Sequence, residues 1–517
     1  MRIMNGAEVI LRTLANNGVD ACFSNPGTSE MQIVAAFDRE PRIRPVLGLY
    51  EGVATGAADG YARIAGKPAA TLLHLGAGLS NGSANLHNAR RAFSPVVNIV
   101  GDHATYHRSL DAPLSSDIAA LAGPVSVWVA TAETAQEAAA LTSEAVRQSK
   151  LGAGGPATLI LPADCAWREC GDTGPVLASP IRSRPDSARI AAVTKALKAA
   201  KKPTILVGSR ALTEEGLIAG GRLASAGVRV IIDTFVARQP RGAGRFAPQR
   251  MEYFGEKALA SLQGVDLMVL ASTKKPVAFF AYPGMPSVLV PEGCTVETLA
   301  LPEEDGEYAL RALADAVAPS ESPKVVELKI SDSMPTGSLS PATISASIAR
   351  HMPESAIVSE DAVTSGLPIY AQTYAARAHD WLFLTGGAIG QGIPAAIGAA
   401  IAQPRRKVLC LTGDGAAAYT VQGLWTLARE NLDVTVVVFA NRAYRILNME
   451  LARTQSGAAG QRARSLLALT DPTMDWVSIA SGFGMAAVRC ETAESFDSAF
   501  ARSMTATGPS FIEAVIE

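Results

Sequence analysis

The sequence predicts an α/β protein made of three doubly wound parallel-sheet domains, and three observations carry that expectation. Strand-like and helix-like segments alternate along most of the chain, the pattern of parallel strands joined by helical crossovers. A length of 517 residues exceeds what one hydrophobic core supports and divides into about three domains of ordinary size. Two polar, proline-containing stretches, at 168–187 and 321–340, interrupt the alternation where linkers are needed. Domains are therefore expected at 1–168, 187–320 and 338–517.

Taken in order, Ala7–Asn17 reads as a helix, Ala21–Ser24 as a strand, Glu30–Asp38 as a helix, Val46–Tyr50 as a strand and Gly52–Ala65 as a helix. Strands are expected next at Ala69–Leu75, Pro95–Val100 and Ala157–Leu161, with a helix at Ser83–Ala92. The middle segment offers strands at Pro203–Val207, Val228–Ile232 and Leu267–Leu270, and the last at Ala356–Val358, Lys407–Leu411 and Val434–Phe439. Unbroken apolar runs such as Val434-Thr-Val-Val-Val-Phe439 suit strands covered on both faces. The longest weakly polar run, Gly386–Gln403, contains Gln391, Pro394 and several glycines, so it reads as a tight turn feeding a buried helix and not as a membrane span.

Composition narrows the function. Net charge is −2 with basic residues dispersed, which gives no one-sided field for nucleic acid or an anionic membrane. The opening residues, Met1 to Glu8, lack the apolar core of a signal peptide, and the six cysteines match neither zinc nor thioredoxin spacing. A reduced, cytoplasmic enzyme is expected.

Chemistry concentrates at Gly413-Asp414-Gly415. At the carboxyl end of a parallel strand the chain turns into a helix, expected near Ala417, and open α/β sheets bind ligands in that crevice. Glycine admits close approach of a ligand, and the helix amides favour phosphate. A carboxylate there would repel phosphate unless a hard cation stood between them, which implies Mg²⁺. One helix and one strand later comes Asn441, whose side-chain oxygen would face the same ion, with the Ala443 carbonyl as a third protein ligand. Taken singly, Gly-Asp-Gly is also an ordinary turn and Asn441 an ordinary cap.

Gly413-Asp414-Gly415 followed 27 positions later by Asn441 resembles the cofactor motif of thiamine diphosphate-dependent enzymes. The resemblance implies pyrimidine-binding, middle and diphosphate-binding domains in that order. It assigns Mg²⁺ to Asp414, Asn441 and Ala443, and cofactor contacts to Gly413, Gly415, Ala416 and Tyr444. Within Gly386-Gly-Ala-Ile-Gly-Gln-Gly-Ile-Pro394, Ile389 falls where the family bends the cofactor into a V, and Gly387 where a carbonyl accepts from its 4′-amino group. Glu51, ahead of Gly52-Val-Ala-Thr-Gly, falls where a glutamate shares a proton with pyrimidine N1′. Without those companions Glu51 would read as a helix-start acid and Ile389 as core.

Asn25-Pro-Gly-Thr28-Ser-Glu30 and Leu73-His74-Leu-Gly-Ala-Gly78 are similar to segments of benzoylformate decarboxylases, which makes Thr28 and His74 candidates for binding the 2-oxo acid carboxylate and moving a proton. Thr28 also reads as a turn hydroxyl, and His74 as a hydrogen-bonded core histidine. Where those decarboxylases have a second histidine, Lys275-Pro-Val-Ala-Phe-Phe280-Ala-Tyr-Pro-Gly284 offers phenylalanines. His103 and His107 lie on a loop placed to rim a pocket, without zinc spacing.

The chain also resembles acetolactate synthase catalytic subunits over nearly its full length. The segment after Asn441, Arg-Ala-Tyr-Arg-Ile-Leu-Asn-Met-Glu450, lacks their Gln-Trp-Gln element, and no motif supports FAD. The implied activity is decarboxylation of a 2-oxo acid, or carboligation from it, in a homodimer or homotetramer with sites shared between subunits. The other class of reading is a noncatalytic cofactor- or nucleotide-phosphate-binding protein. The missing Walker lysine and the presence of Glu51 weigh against it.

Overall fold

The computed structural model describes residues 3–454 and 460–516. Its architecture is three large sheets flanked by helices, with a small two-stranded antiparallel sheet, Met4–Asn5 against Glu169–Cys170, beside the first. The first has six parallel strands in the order Arg44–Leu47, Ala21–Asn25, Ala69–Leu73, Val96–Asp102, Pro156–Pro162, Trp128–Thr131. The second has five, in the order Gln249–Arg250, Arg229–Ile232, Pro203–Val207, Leu267–Ala271, Thr295–Ala300.

The third has seven, in the order Arg238–Arg241, His379–Leu382, Ala356–Asp361, Val408–Gly413, Val434–Ala440, Ser510–Val515, Ala486–Cys490. It departs from all-parallel pairing at one edge, where Arg238–Arg241 runs antiparallel to His379–Leu382. Pro240 lacks a donor and suits an edge position, and Arg238 Nε donates to Asp380 Oδ1 at 2.8 Å across the pair.

The winding is alike in all three sheets. Each chain segment enters in the interior, lays its next strand on one side, then crosses to the other. The crossing point lies between Ala21–Asn25 and Ala69–Leu73 in the first sheet, and between Ala356–Asp361 and Val408–Gly413 in the third. Crevices for ligands open at the carboxyl ends of strands at such points. Left-handed non-glycine residues lie one or two positions beyond three of these sheets' strands: Leu75, Val363 and Arg442 have φ of 46°, 50° and 57°. Such conformations cost about 1–3 kcal/mol each and gather at functional turns.

The first and third sheets meet through the helices Glu51–Ala65 and Gly392–Ala402. Glycines let their backbones touch: a Cβ on Gly60 would lie 2.2 Å from the Ala395 carbonyl oxygen, and one on Gly398 1.9 Å from that of Ala57. Arg63 and Asp59 form a buried pair at 2.5 Å in this interface, and Arg63 also donates to the Phe383 carbonyl at 2.7 Å and to Thr385 at 2.9 Å.

Several expected boundaries move. The helix expected at Ser83–Ala92 spans Leu75–Arg91, because Gly76, Gly78 and Gly82 weaken its helical signature while serving close packing. A Cβ on Gly82 would lie 2.7 Å from Thr55 Cγ2. The strand expected at Val46–Tyr50 is Arg44–Leu47, since Tyr50 already caps the next helix. Among the described residues no helix is long and apolar enough to cross a membrane.

Candidate functional site

Strands Val408–Gly413 and Val434–Ala440 run side by side with Gly413 opposite Phe439, so Asp414 and Asn441 leave neighbouring strand tips. The turn is tighter than expected. Helix begins at Asp414 itself and not near Ala417, with Gly413 as an extended cap at φ −74° and ψ 155°. Asp414 is buried, and its carboxylate accepts the Gly415 N–H at 2.9 Å and the Arg442 N–H at 2.6 Å. Asn441 Oδ1 accepts the Ala443 N–H at 3.0 Å. Burial pushes the Asp414 carboxyl up to about 6, opposed by those backbone donors and by the Arg442 charge.

The Asp414 carboxylate, the Asn441 amide oxygen and the Ala443 carbonyl are hard-oxygen donors of the kind a divalent cation takes, and a cation would relieve the burial of the Asp414 charge. Among the described residues no cluster of three or more His, Cys, Asp or Glu could hold a metal. The Asp414 set brings one carboxylate and two neutral oxygens, which fits Mg²⁺ shared with waters and ligand phosphate oxygens. Gly415 lies under the Tyr444 ring, where a Cβ would fall 2.4 Å from Cε1, while the space beside Gly413 is open. Ala416 is buried behind them.

The loop bearing Gly387 and Ile389 is pinned from several sides. Asp361 Oδ2 accepts the Gly390 and Gly392 N–H groups at 3.0 and 2.9 Å, and Thr420 Oγ1 donates to the Gly390 carbonyl at 2.9 Å. Asn88 donates to the Ala388 carbonyl at 2.8 Å and accepts its N–H at 3.2 Å. Gly387 has φ 75° and is exposed, with the Phe279 ring beside it, and Ile389 is half-buried. A loop held at Gly386–Gly392 by the first and third sheets' segments is a rigid platform.

In the first sheet, Thr28 and His74 follow the two strands at the crossing point. Thr28 is exposed on a 3-10 turn, and His74 is half-buried. His74 Nδ1 lies 2.8 Å from Glu30 Oε2, and its ring covers Gly27, where a Cβ would fall 2.2 Å from Nδ1. Glu51 opens its helix buried, with Asn81 Nδ2 donating to Oε2 at 3.0 Å. Gly78 separates the two groups: a Cβ there would be 3.3 Å from Glu51 Oε1 and 3.4 Å from His74 Cβ.

The candidates therefore form two gatherings. Asp414, Gly413, Gly415, Ala416, Asn441, Ala443 and Tyr444 stand together, and Thr28, His74 and Glu51 stand together. Among the described residues no hydrogen bond or ion pair joins Glu51, Thr28 or His74 to the Asp414 group. The His103 and His107 rings stand 5.3 Å apart.

Sequence reasoning passed over Glu30, Asn81, Asn88 and Arg442. Glu30 had a legible signal, an acid three residues after Gly27 at a helix start, where it accepts the Gly27 N–H at 2.8 Å. Arg442 contributes through its backbone, which no residue-type pattern displays.

Residues 4–121 match a family described as the N-terminal TPP binding domain of thiamine pyrophosphate enzymes, and residues 367–514 match the C-terminal TPP binding domain. A Mycobacterium tuberculosis protein provisionally named acetolactate synthase large subunit IlvX is 49% identical, covering 99% of both chains. The benzoylformate decarboxylase of Pseudomonas aeruginosa is 27% identical, covering 97% of this chain and 96% of its own. The solved structure of a Rhodococcus jostii thiamine diphosphate-dependent 4-hydroxybenzoylformate decarboxylase superposes with a TM-score of 0.85 at 24% identity, covering 99% of each chain. That last likeness bears on the fold.

Proposed function

The chain belongs to the thiamine pyrophosphate enzyme family, and from that premise we propose a thiamine diphosphate- and Mg²⁺-dependent enzyme that breaks or forms the carbon–carbon bond beside a 2-oxo acid carbonyl. The observation that carries the reading is the Asp414 carboxylate, buried at a strand tip next to Asn441 with space open beside Gly413. A noncatalytic nucleotide-phosphate binder accounts for neither the family match nor the buried Glu51.

In this reading Asp414, Asn441 and the Ala443 carbonyl hold the ion, and Gly413, Gly415, Ala416 and Tyr444 line the diphosphate. The Gly387 carbonyl and Ile389 side chain meet the organic half of the cofactor on their pinned loop. Bound there, thiamine diphosphate supplies the electron sink that lets a 2-oxo acid lose carbon dioxide. Glu51 holds a proton for pyrimidine N1′, kept in place by Asn81 Nδ2 at 3.0 Å. His74 presents Nε2 for proton transfer to the reacting centre, and Thr28 offers its hydroxyl to the substrate carboxylate.

Phe279 and Phe280, 43% and 53% exposed, belong to the stretch whose sequence resemblance to benzoylformate decarboxylases implies a histidine, and Phe279 borders Gly387. This supports a substrate with an apolar side chain and a proton inventory smaller than that of benzoylformate decarboxylases. Decarboxylation comes first, and protonation to an aldehyde or capture by a second carbonyl compound completes the reaction.

The two gatherings of candidates, unjoined within one chain, support a homodimer or homotetramer in which one subunit's Glu51 serves its neighbour's Asp414. Six unpaired cysteines support a reducing, cytoplasmic setting. The test is a panel of 2-oxo acids, pyruvate, 2-oxobutyrate and benzoylformate among them, assayed for carbon dioxide and product with cofactor and Mg²⁺ present. Release of carbon dioxide from none of them contradicts the proposal.

A further inference from the structure

The loop that carries Gly387 and Ile389 meets the helix Leu75–Arg91 of the first sheet, where Asn88 grips Ala388 from two sides. Asn88 is fully buried, and its side-chain amide takes both backbone polar groups of Ala388: Oδ1 accepts the N–H at 3.2 Å, and Nδ2 donates to the carbonyl at 2.8 Å. Nδ2 also donates to Asn85 Oδ1 at 3.1 Å. Two acceptors thus face the amide nitrogen and one donor its oxygen, which fixes the orientation of the group. Thr385 Oγ1 in turn donates to the Asn88 carbonyl at 2.7 Å, and a Cβ on Gly386 would fall 2.5 Å from Asn88 Oδ1.

In a trans peptide the carbonyl of one residue and the N–H of the next point in opposite directions. The peptides of this loop are trans, so with the Ala388 N–H turned to Asn88 the Gly387 carbonyl points away from it. The Ala388 carbonyl is turned to the same amide, and the Ile389 N–H therefore points away as well. One side chain sets both peptide planes that flank Ala388. The planes beyond them are held too, since His87 Nε2 lies 3.2 Å from the Gly386 carbonyl and Thr420 Oγ1 donates to that of Gly390 at 2.9 Å. Gly387, at φ 75° and exposed, has no side chain to anchor its own carbonyl.

We propose, on the thiamine diphosphate reading above, that Asn88 is a positioning residue: it aims the Gly387 carbonyl at the cofactor's 4′-amino group and seats Ile389 beside it. An amide is the residue type this task needs. A carboxylate at 88 would offer the Ala388 carbonyl no donor, and an apolar isostere would leave both Ala388 groups without partners, which the loop would relieve by rotating those peptides. Aim matters because a hydrogen bond weakens steeply once donor, hydrogen and acceptor leave a straight line. The diphosphate end, assigned to Asp414 and Asn441, would be untouched by the change, so the effect of Asn88 falls on one functional group of the cofactor.

The test is calorimetric titration of the full-length protein, in Mg²⁺, with thiamine diphosphate and with the analogue whose 4′-amino group is replaced by hydrogen. The wild type is expected to prefer thiamine diphosphate by about tenfold, and Asn88→Leu to shrink that preference to about twofold or less while its affinity for the analogue stays level. Asn88→Asp keeps an acceptor for the Ala388 N–H but loses the donor, so it is expected to retain part of the preference, and it serves where Asn88→Leu does not fold. An undiminished preference in whichever variants fold overturns the proposal, because the carbonyl is then aimed without Asn88. Equal loss of affinity for both compounds overturns it too, making Asn88 a packing residue. Equal binding of both by the wild type removes the Gly387 contact and the proposal while leaving the family reading intact. A wild type that binds neither overturns the thiamine diphosphate reading itself, and the proposal with it.

Discussion

Glu30 Oε2 lies 2.8 Å from Nδ1 of His74, and everything around the pair fixes it. Glu30 is 2% exposed, accepts the Gly27 N–H at 2.8 Å and the Ser29 hydroxyl at 2.7 Å, and backs onto Gly101, where a Cβ would fall 1.7 Å from Oε1. A carboxylate on Nδ1 keeps the proton on that nitrogen and leaves Nε2 to work. Under the proposed role of His74, Glu30 acts as its positioning residue. Glu30→Gln is expected to lower kcat/KM by about tenfold or more while cofactor affinity stays level. Nitrogen chemical shifts of His74 should show the Nδ1–H preference lost. A folded variant with wild-type shifts and rate would remove Glu30 from the account.

Asp414 makes a prediction about stability that runs opposite to function. Its carboxyl sits at about 6 in the folded, ion-free protein against an ordinary 3.8. As pH rises, the unfolded chain ionises first, so the contribution of this group is intact below about pH 4 and is lost between about pH 4 and 6. Asp414→Asn is therefore expected to stabilise the ion-free protein near neutral pH by about 1–2 kcal/mol, less than the full shift implies because the amide cannot accept both backbone N–H groups. Thermal melts at pH 4 and pH 7.5 check the sign: the advantage should appear only at the higher pH.

Glu51→Gln separates chemistry from binding. Turnover is expected to fall by about 10²-fold or more, with the affinity for thiamine diphosphate and Mg²⁺ little changed. Loss of both together would mean that Glu51 holds its surroundings in place and moves no proton.

Arg63 ties the first sheet to the loop that carries Gly387 and Ile389. Removing it leaves Asp59, fully buried, with an uncompensated charge. Arg63→Met is expected to destabilise by about 3–5 kcal/mol in urea, and the double change with Asp59→Asn by less than the sum.

What the sequence displayed was whatever rests on residue type and period. The valine run at 434–438 announced a covered strand, and Gly413-Asp414-Gly415 with Asn441 announced neighbouring tips, because an acid and an amide at strand ends need a reason. The helix from Leu75 stayed hidden because its glycines at 76, 78 and 82 serve contacts with other segments and not helical propensity. The antiparallel edge at Arg238–Arg241 was unreadable for a related reason: its partner lies more than a hundred residues away, and no local pattern records that.

The central claim is that a divalent ion on Asp414 and Asn441 joins the cofactor diphosphate to two strand tips. It is tested most directly by titrating thiamine diphosphate into the ion-free protein with and without Mg²⁺. The account predicts one cofactor per chain, bound only when Mg²⁺ is present, with binding abolished in Asp414→Ala and Asn441→Ala while both variants remain folded. Equally tight binding without the ion, or undiminished binding in either variant, would contradict it.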